Sequence, residues 1–331
     1  MNILVTGGAG FIGSHTAKRL SQEGLEPVVI DHLRRGYREA VQWGPLIVAD
    51  IGDRAVVERA LEQYAIEAVL HFAGYINVGE STQAPEVYFH NGFVNTLSLL
   101  EAMRARGVRT IVFSSTAAVY GNPREIPITE EHIREPINPY GESKLMVERL
   151  LHWYGEVHGF RWVALRYFNA AGADPEGQLG ENHDPETHLI PLAIYAALGA
   201  RKALDIYGTD YETPDGTAIR DYLHVTDLAE AHLAALRYLD RGGPSTAFNL
   251  GTGQGHSVRE VVSMVEHVSG RAVPVREVGR RSGDPPSLVA DAGKADRILN
   301  WRAHQSSLQE IVRTAWNWKA RQTAVLSQKA R

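Results

Sequence analysis

Apolar and β-branched residues fall in short unbroken runs at 3–6, 28–30, 46–49, 68–72, 110–114 and 162–167. A strand with one wet face alternates polar and apolar residues, whereas a run without alternation is covered on both faces. Between these runs lie longer stretches with helical spacing, at 13–23, 54–64, 87–106 and 141–158. Strand-length runs joined by helix-length connections predict a parallel sheet. Right-handed crossovers make that sheet doubly wound, with helices on both faces. Beyond about residue 170 the pattern changes. Gly, Pro, Asp and Asn cluster at 172–185, 208–216 and 279–286, which predicts loops. Helices are predicted at 191–199, 226–240 and 257–269. In the last, Ser257 stands three residues before Glu260, the spacing of a capping box.

Composition narrows the chemistry. The 331 residues carry 34 basic and 39 acidic side chains, a formal charge of −5, which gives no support for nucleic-acid or anionic-membrane partners. Cysteine is absent, which excludes disulfides, thiol nucleophiles, iron–sulfur ligation and cysteine-based zinc sites. The apolar runs are too short for a membrane-spanning helix. The N-terminal Met1-Asn2-Ile3-Leu4 begins a strand and has no basic leader region. The expectation is a cytoplasmic α/β enzyme.

The first strand leads directly into Thr6-Gly7-Gly8-Ala9-Gly10-Phe11-Ile12-Gly13, which contains G-x-G-x-x-G. A tight turn needs positive φ, a pyrophosphate needs close backbone approach, and the following helix must lie against the strand. The helix start then offers free N–H groups and a positive dipole end to an anion. Asp31 ends the next strand, 18 residues after Gly13, where a carboxylate can accept from a ribose diol. A carboxylate there repels a 2′-phosphate and favours NAD over NADP. Arg34 and Arg35 close behind pull the other way. Asp50, after the third strand, suits either adenine contact or a helix N-cap. The organisation expected is a Rossmann-type NAD-binding domain over 1–170, to which later segments return. A smaller α/β lobe over 171–331 mainly takes substrate.

Tyr140 and Lys144 are four residues apart and share a face of the helix that Pro139 begins. Upstream, Ser114, Ser115 and Thr116 end a strand of the same sheet, at the carboxyl edge where ligands bind in such folds. Together these groups form a proton-transfer constellation. It needs Tyr140 as a phenolate near pH 7 although free tyrosine titrates near 10, a cost of about 4 kcal/mol. The Lys144 ammonium and a cationic nicotinamide ring would supply it.

These segments resemble the extended short-chain dehydrogenase/reductase family. Within it, they resemble the UDP-galactose (UDP-glucose) 4-epimerases. The resemblance is carried by 5–15, His71-Phe72-Ala73-Gly74, 78–81, 113–121, 138–148, Arg166-Tyr167-Phe168-Asn169, 215–227, 280–284, 299–301 and 314–316. It implies NAD+ held through the turnover and inversion of C4 of a UDP-hexose through a 4-keto sugar. Tyr140 would act as acid/base, Thr116 would bond O4, and Lys144 would hold the nicotinamide ribose. Cofactor contacts would come from Gly7, Gly10, Phe11, Ile12, Gly13, Asp31, His32, Leu33, Arg34, Gly36, Asp50 and Ile51. Phe72, Ala73, Gly74, Tyr75, Ile76, Asn91, Ser114, Tyr140, Lys144 and Phe168 would complete them. The UDP-sugar would meet Thr116, Tyr140, Asn169, His188, Leu189, Asp205, Tyr207, Arg220, Tyr222, Arg281, Asp284 and Leu288. Arg220 and Arg281 suit a diphosphate through paired N–H donors; surface ion pairs with Asp221 and Asp284 are the alternative. The resemblance also implies a homodimer through the helices at 87–106 and 141–158.

The chain departs from the family's pattern in places. Ile76 stands where some members carry a lysine for the NAD phosphates, which predicts weaker retention. His188 stands where others have asparagine. Leu288 stands where some have a bulky tyrosine near the sugar, so N-acetylated UDP-sugars are an alternative, and Thr129-Glu130-Glu131 with Pro136-Ile137-Asn138-Pro139 resembles the UDP-arabinose/UDP-xylose 4-epimerases. A 4,6-dehydratase would carry acids after Thr116, where this chain has Ala117 and Ala118. A non-catalytic NAD-binding protein would be expected to lose Tyr140 or Lys144. His183, Asp184 and His188 show no H-E-x-x-H-like spacing, and no metal is expected.

Overall fold

The computed structural model describes residues 1–281 and 285–329. The first half runs β1 (Asn2–Thr6), α1 (Phe11–Gln22), β2 (Glu26–Asp31), β3 (Leu46–Val48), α2 (Arg54–Gln63), β4 (Ala68–His71), α3 (Val78–Gln83), α4 (Pro85–Tyr88), α5 (Asn95–Ala105), β5 (Thr110–Ser114), α6 (Pro139–His158) and β6 (Arg161–Tyr167). The second runs β7 (Asn169–Ala171), α7 (Leu189–Ala197), β8 (Leu204–Tyr207), β9 (Ile219–Arg220), β10 (Tyr222–His224), α8 (Val225–Asp240), β11 (Thr246–Leu250), β12 (His256–Ser257), α9 (Val258–Ser269), β13 (Val275–Val278), β14 (Ser287–Leu288), α10 (Gly293–Leu299) and α11 (Leu308–Lys329).

The main sheet has seven strands in the order β3-β2-β1-β4-β5-β6-β11. Every pairing in it is parallel. The unbroken apolar runs fill it as their pattern demands: Ile3, Leu4, Val5, Val69, Leu70, Ile111 and Val112 have no exposed surface. One core lies between the sheet and α1 with α8, around Leu20, Leu228 and Leu236. Another lies on the opposite face, around Leu61, Leu99, Met103 and Leu151. The order reverses between β1 and β4, so the chain diverges there and leaves a crevice at the carboxyl ends of the strands. A third core, around Ile194, Val261, Val265, Ile311 and Val312, joins α7, α9 and α11.

The boundaries of most expected elements shift by one or two residues. Three differences are larger. The helix expected at 87–106 is interrupted by a π-helical turn over Phe89–Val94. The i→i+5 spacing of such a turn re-aims side chains, and it commonly sits at functional sites. Here Gly92 packs against Ser143 of α6, where a Cβ would come 3.1 Å from the hydroxyl. The last sheet strand, β11, has no apolar run to announce it. Its Asn249 is buried, and the side chain pairs with Tyr120 Oη at 2.6 Å and donates to the Ile128 carbonyl at 2.9 Å. The long C-terminal α11 was likewise not expected. No helix of the described residues is long and apolar enough to cross a membrane.

Candidate active site

The glycine turn after β1 is built as its spacing requires. Gly7 has φ +68°, and a Cβ there would lie 2.6 Å from the Ala73 nitrogen. A Cβ on Gly13 would lie 2.5 Å from the Gly7 carbonyl, so α1 can lie against the turn only through glycine. The helix start is capped by Gly10 without any side-chain bond, which leaves its N–H groups for an anion. Asp31 at the tip of β2 is aimed by backbone donors, Ala9 N–H at 3.1 Å and Leu33 N–H at 2.8 Å. Leu33 takes φ +59° to make that bond. A side chain on Gly36 would come within 3.0 Å of both Asp31 oxygens. These residues fit a dinucleotide's pyrophosphate and ribose. Arg35 is engaged by Glu80 at 2.7 and 2.9 Å, so it is committed elsewhere than to a 2′-phosphate. Arg34 contacts Tyr75 Oη at 3.4 Å.

A cleft of about 400 Å3 is lined by Arg34, Asp50, Tyr75, Glu86, Val87, His90, Asn91 and Asn95. Four of these are among the sequence-derived cofactor residues. The π-turn brings Asn91 to it, where the side chain accepts from the Tyr75 N–H at 2.9 Å. Asp50 is not a helix cap: Asp53 caps α2. Asp50 instead accepts from Gly52 N–H and Asn95 Nδ2 at 2.9 and 2.8 Å. Ile76 is exposed at the mouth of α3.

Tyr140 lies in the first turn of α6, which Asn138 caps by accepting from Gly141 N–H. Gly141 was not singled out from sequence, yet a Cβ there would lie 2.6 Å from the Ala118 carbonyl. Its absence lets α6 close on the turn at Ala117–Tyr120 and sets Tyr140 beside Thr116. Burial raises the Tyr140 pKa above its ordinary value, and a hydrogen bond with Thr116 opposes that rise. Lys144 is buried, donates to the Ser114 carbonyl at 2.9 Å, and stands 4.9 Å above the Phe113 ring. Burial lowers its pKa to about 8. Protein groups alone therefore leave Tyr140 protonated, and the expected lowering needs the nicotinamide charge beside Lys144. At about 8, Lys144 still carries its charge near pH 7.

The hydroxyls that precede Thr116 are used structurally. Ser114 pairs with Tyr167, and Ser115 donates to Glu148 at 2.5 Å. Glu148, two turns along α6 from Tyr140, receives two bonds from Arg166 at 2.9 and 2.6 Å. Arg166 also donates to Tyr120 at 2.8 Å. This buried network ties α6, β6 and the Thr116 turn together. Sequence reasoning assigned it no role, because its members are far apart in the chain.

The second half contributes less uniformly. Phe168 and Leu288 pack on the cluster of Ala117, Val119, Tyr120 and Leu145, next to the Thr116 turn. Asn169 opens β7, paired in register with Tyr222 of β10. Arg220 donates to the Ile219 and Pro285 carbonyls at 2.8 and 2.9 Å. Arg281 stacks 3.9 Å over the Tyr207 ring. Asp205 is bound by Arg276 at 2.7 Å and Arg201 at 3.2 Å, which turns it to a surface ion pair. His188 caps α7, but its ring meets Glu181 and Glu186 at 2.9 and 3.1 Å. Burial would lower its pKa; the two carboxylates outweigh that and push it up to about 10. Asp284 lies outside the described residues.

The model of the NAD dependent epimerase/dehydratase family matches residues 3–251. The chain belongs to this family. It is 51% identical over 319 residues to the UDP-glucose 4-epimerase of Rhizobium leguminosarum bv. trifolii, covering 96% of this chain and 97% of that one. It is similar in structure to UDP-glucose 4-epimerase from Brucella ovis in complex with NAD, with TM-score 0.94 and 51% identity over 96% and 97% of the two chains. It is similar also to the UDP-glucose-4-epimerase from Stenotrophomonas maltophila with bound NAD and formylated UDP-arabinopyranose. That likeness has TM-score 0.95 and 40% identity over 98% and 99%.

Proposed function

We propose that this enzyme is an NAD-dependent isomerase that inverts C4 of a UDP-hexose, converting UDP-galactose to UDP-glucose through a transient 4-keto sugar. The observation that carries the reading is the meeting of Tyr140, Thr116 and Lys144 at the carboxyl edge of the sheet, beside a glycine turn that fits a dinucleotide. NAD+, held by the glycine turn and Lys144, would supply the hydride acceptor and donor for C4, with no net redox change. Tyr140 takes the proton from the 4-hydroxyl as the carbonyl forms and gives it back as the carbonyl is reduced. Thr116 orients O4. Lys144, fixed by the Ser114 carbonyl, holds the nicotinamide ribose and answers the developing phenolate charge. The buried setting excludes water from the keto sugar.

The turn at Gly7–Gly13 with Asp31 holds pyrophosphate and ribose, and Asp50, Tyr75 and Asn91 hold the adenosine end. Leu189, Arg220, Tyr222, Arg281 and Asp284 hold the UDP-sugar in the lobe over 171–331. His188 contributes through its main chain, since its ring faces two carboxylates. Leu288 beside the Thr116 turn is intermediate in size, and the pentose sugar named for the Stenotrophomonas maltophila structure keeps a UDP-arabinose or UDP-N-acetylglucosamine 4-epimerase as the second reading. The working unit is a cytoplasmic homodimer, for which exposed Trp153 and Val157 on α6 supply apolar surface. A monomer mass in light scattering would remove the dimer.

The deciding experiment incubates purified protein with UDP-galactose, without added NAD, and follows the anomeric protons by NMR. Growth of UDP-glucose towards equilibrium supports the reading and a retained cofactor together. No conversion even with NAD supplied overturns the hexose and moves the test to UDP-arabinose and UDP-N-acetylgalactosamine.

A further inference from the structure

Four side chains that this chemistry does not use come together between β7 and α7. Glu181, His183, Glu186 and His188 each present one ligating atom, and those atoms all lie within 4.8 Å of one another. His183 Nδ1 stands 3.2 Å from Glu181 Oε1 and 3.7 Å from Glu186 Oε1. His188 Nδ1 stands 2.9 and 3.1 Å from the same two oxygens. Around an ion with ligand bonds of about 2.0–2.2 Å, tetrahedral corners are separated by roughly 3.3–3.6 Å. The four separations straddle that interval, so small adjustments would place all four atoms on one ion.

We propose that Glu181, His183, Glu186 and His188 form a site for one divalent transition ion of the zinc class. Two imidazoles beside two carboxylates favour such an ion over magnesium or calcium, which prefer oxygen ligands alone. Four protein ligands fill a tetrahedral shell, and a filled shell marks a structural rather than a catalytic ion. A second observation points the same way. His183 Nδ1 is buried and makes no hydrogen bond, although a carboxylate oxygen lies 3.2 Å away. Close approach without hydrogen-bond geometry is how two ligands of a common ion stand. The Glu181 and Glu186 side chains are only 4% and 5% exposed, so their charges need compensation at close range, which an ion among the four ligand atoms would supply. Lys319 lies 3.8 Å from Glu186 Oε2 and donates to Tyr195 at 2.9 Å. It stands on the side of the Glu186 oxygen that the histidines do not approach.

The sequence conceals this set. Its histidines are five apart in a loop, and Asp184, the neighbour that spacing suggests, is not a member. The ion would pin the loop to the N-cap of α7, immediately before Leu189.

The test uses the full-length protein, stripped by chelator and titrated with Zn2+ against a chromophoric competitor at neutral pH. One ion per chain is expected, with magnesium and calcium failing to compete and zinc raising the thermal midpoint. His183→Ala and Glu181→Gln are expected to weaken zinc binding by roughly a hundredfold or more, since loss of an outer partner alone costs 10–100-fold. Retained NAD binding certifies that each variant is folded. His183 is the more exposed of the two, so His183→Ala carries the test if Glu181→Gln does not fold. No stoichiometric zinc uptake, or equal uptake by wild type and a folded variant, overturns the site.

Discussion

The surroundings of Tyr140 and the segment at 181–188 are both largely removed from water, yet their ionisable groups shift in opposite directions. Near Tyr140 and the sheet, burial shifts groups towards their neutral forms. Lys144 falls to about 8, and Tyr140 and Tyr167 rise. His15, His224 and His232 fall to about 4, and His71, with Lys144 nearby as a second cause, falls to about 3. In the segment, burial is overruled by pairing. His183 is raised and His188 reaches about 10, while Glu181 and Glu186 are held below the usual carboxylate range. The difference teaches that desolvation decides only where no opposite charge is within reach. Around Tyr140, Lys144 still carries its charge near pH 7 and faces the one the reaction creates. A charge-paired loop suits anchoring.

The strongest way to break this comparison is Tyr140→Phe. Removal of the one proton carrier is expected to lower turnover by about 10²–10⁴-fold while NAD stays bound, read by steady-state kinetics and absorbance. Turnover near wild type would strip Tyr140 of its role. The second test is acid. A histidine whose folded pKa lies below its unfolded value near 6.5 stabilises the fold fully above that pH. That stability is lost as pH falls from 6.5 towards the folded values near 3 to 4. The loss is on the order of 1 kcal/mol per pH unit for each of the four, seen as a falling urea midpoint between pH 7 and 5. A flat midpoint across that range would mean these rings are not held neutral.

Smaller effects sharpen the contrast. Leu288→Ala should shift preference towards an N-acetylated UDP-sugar by about tenfold, the scale of a few methylenes in a pocket, measured as a ratio of kcat/KM. Ile76→Lys should slow NAD loss on gel filtration by a few-fold, through one added contact between an exposed ammonium and a phosphate. No change in retention would show that the cleft does not bring the phosphates near that position. His188→Asn, which keeps the main chain and removes the ring from Glu181 and Glu186, should leave KM and kcat within about twofold of wild type in steady-state kinetics. A large fall in kcat would draw the segment into the chemistry.

Much of the dinucleotide half was legible because its signals are local. An unbroken apolar run, three glycines and one aspartate are each read within a few residues, and the backbone answers to them directly. The π-turn was not legible. Residues 87–106 keep enough helical spacing to look continuous, and the close neighbour of the turn, Ser143, belongs to another helix. Strand β11 was missed because Asn249 breaks its run, and only the fold shows that Tyr120 and Ile128 satisfy that side chain. Tyr140, Lys144 and Thr116 were legible by type and spacing, whereas Gly141, Glu148 and Arg166, which fix their geometry, were not. Glu181 and Glu186 escaped for the same reason: their significance lies in which ring each carboxylate meets.

The place of β11 at the rim of the sheet has a consequence for how the molecule is made. Strand β6 ends at Tyr167, but its outer neighbour is not translated until Leu250 has emerged. During synthesis the nascent sheet carries an open edge whose N–H and C=O groups pair with nothing, next to a face that α8 has yet to cover. A chain severed near residue 170 would keep that edge permanently. It should associate or precipitate rather than survive as a free-standing nucleotide-binding module, and supplying the remaining piece in trans is what would rescue it.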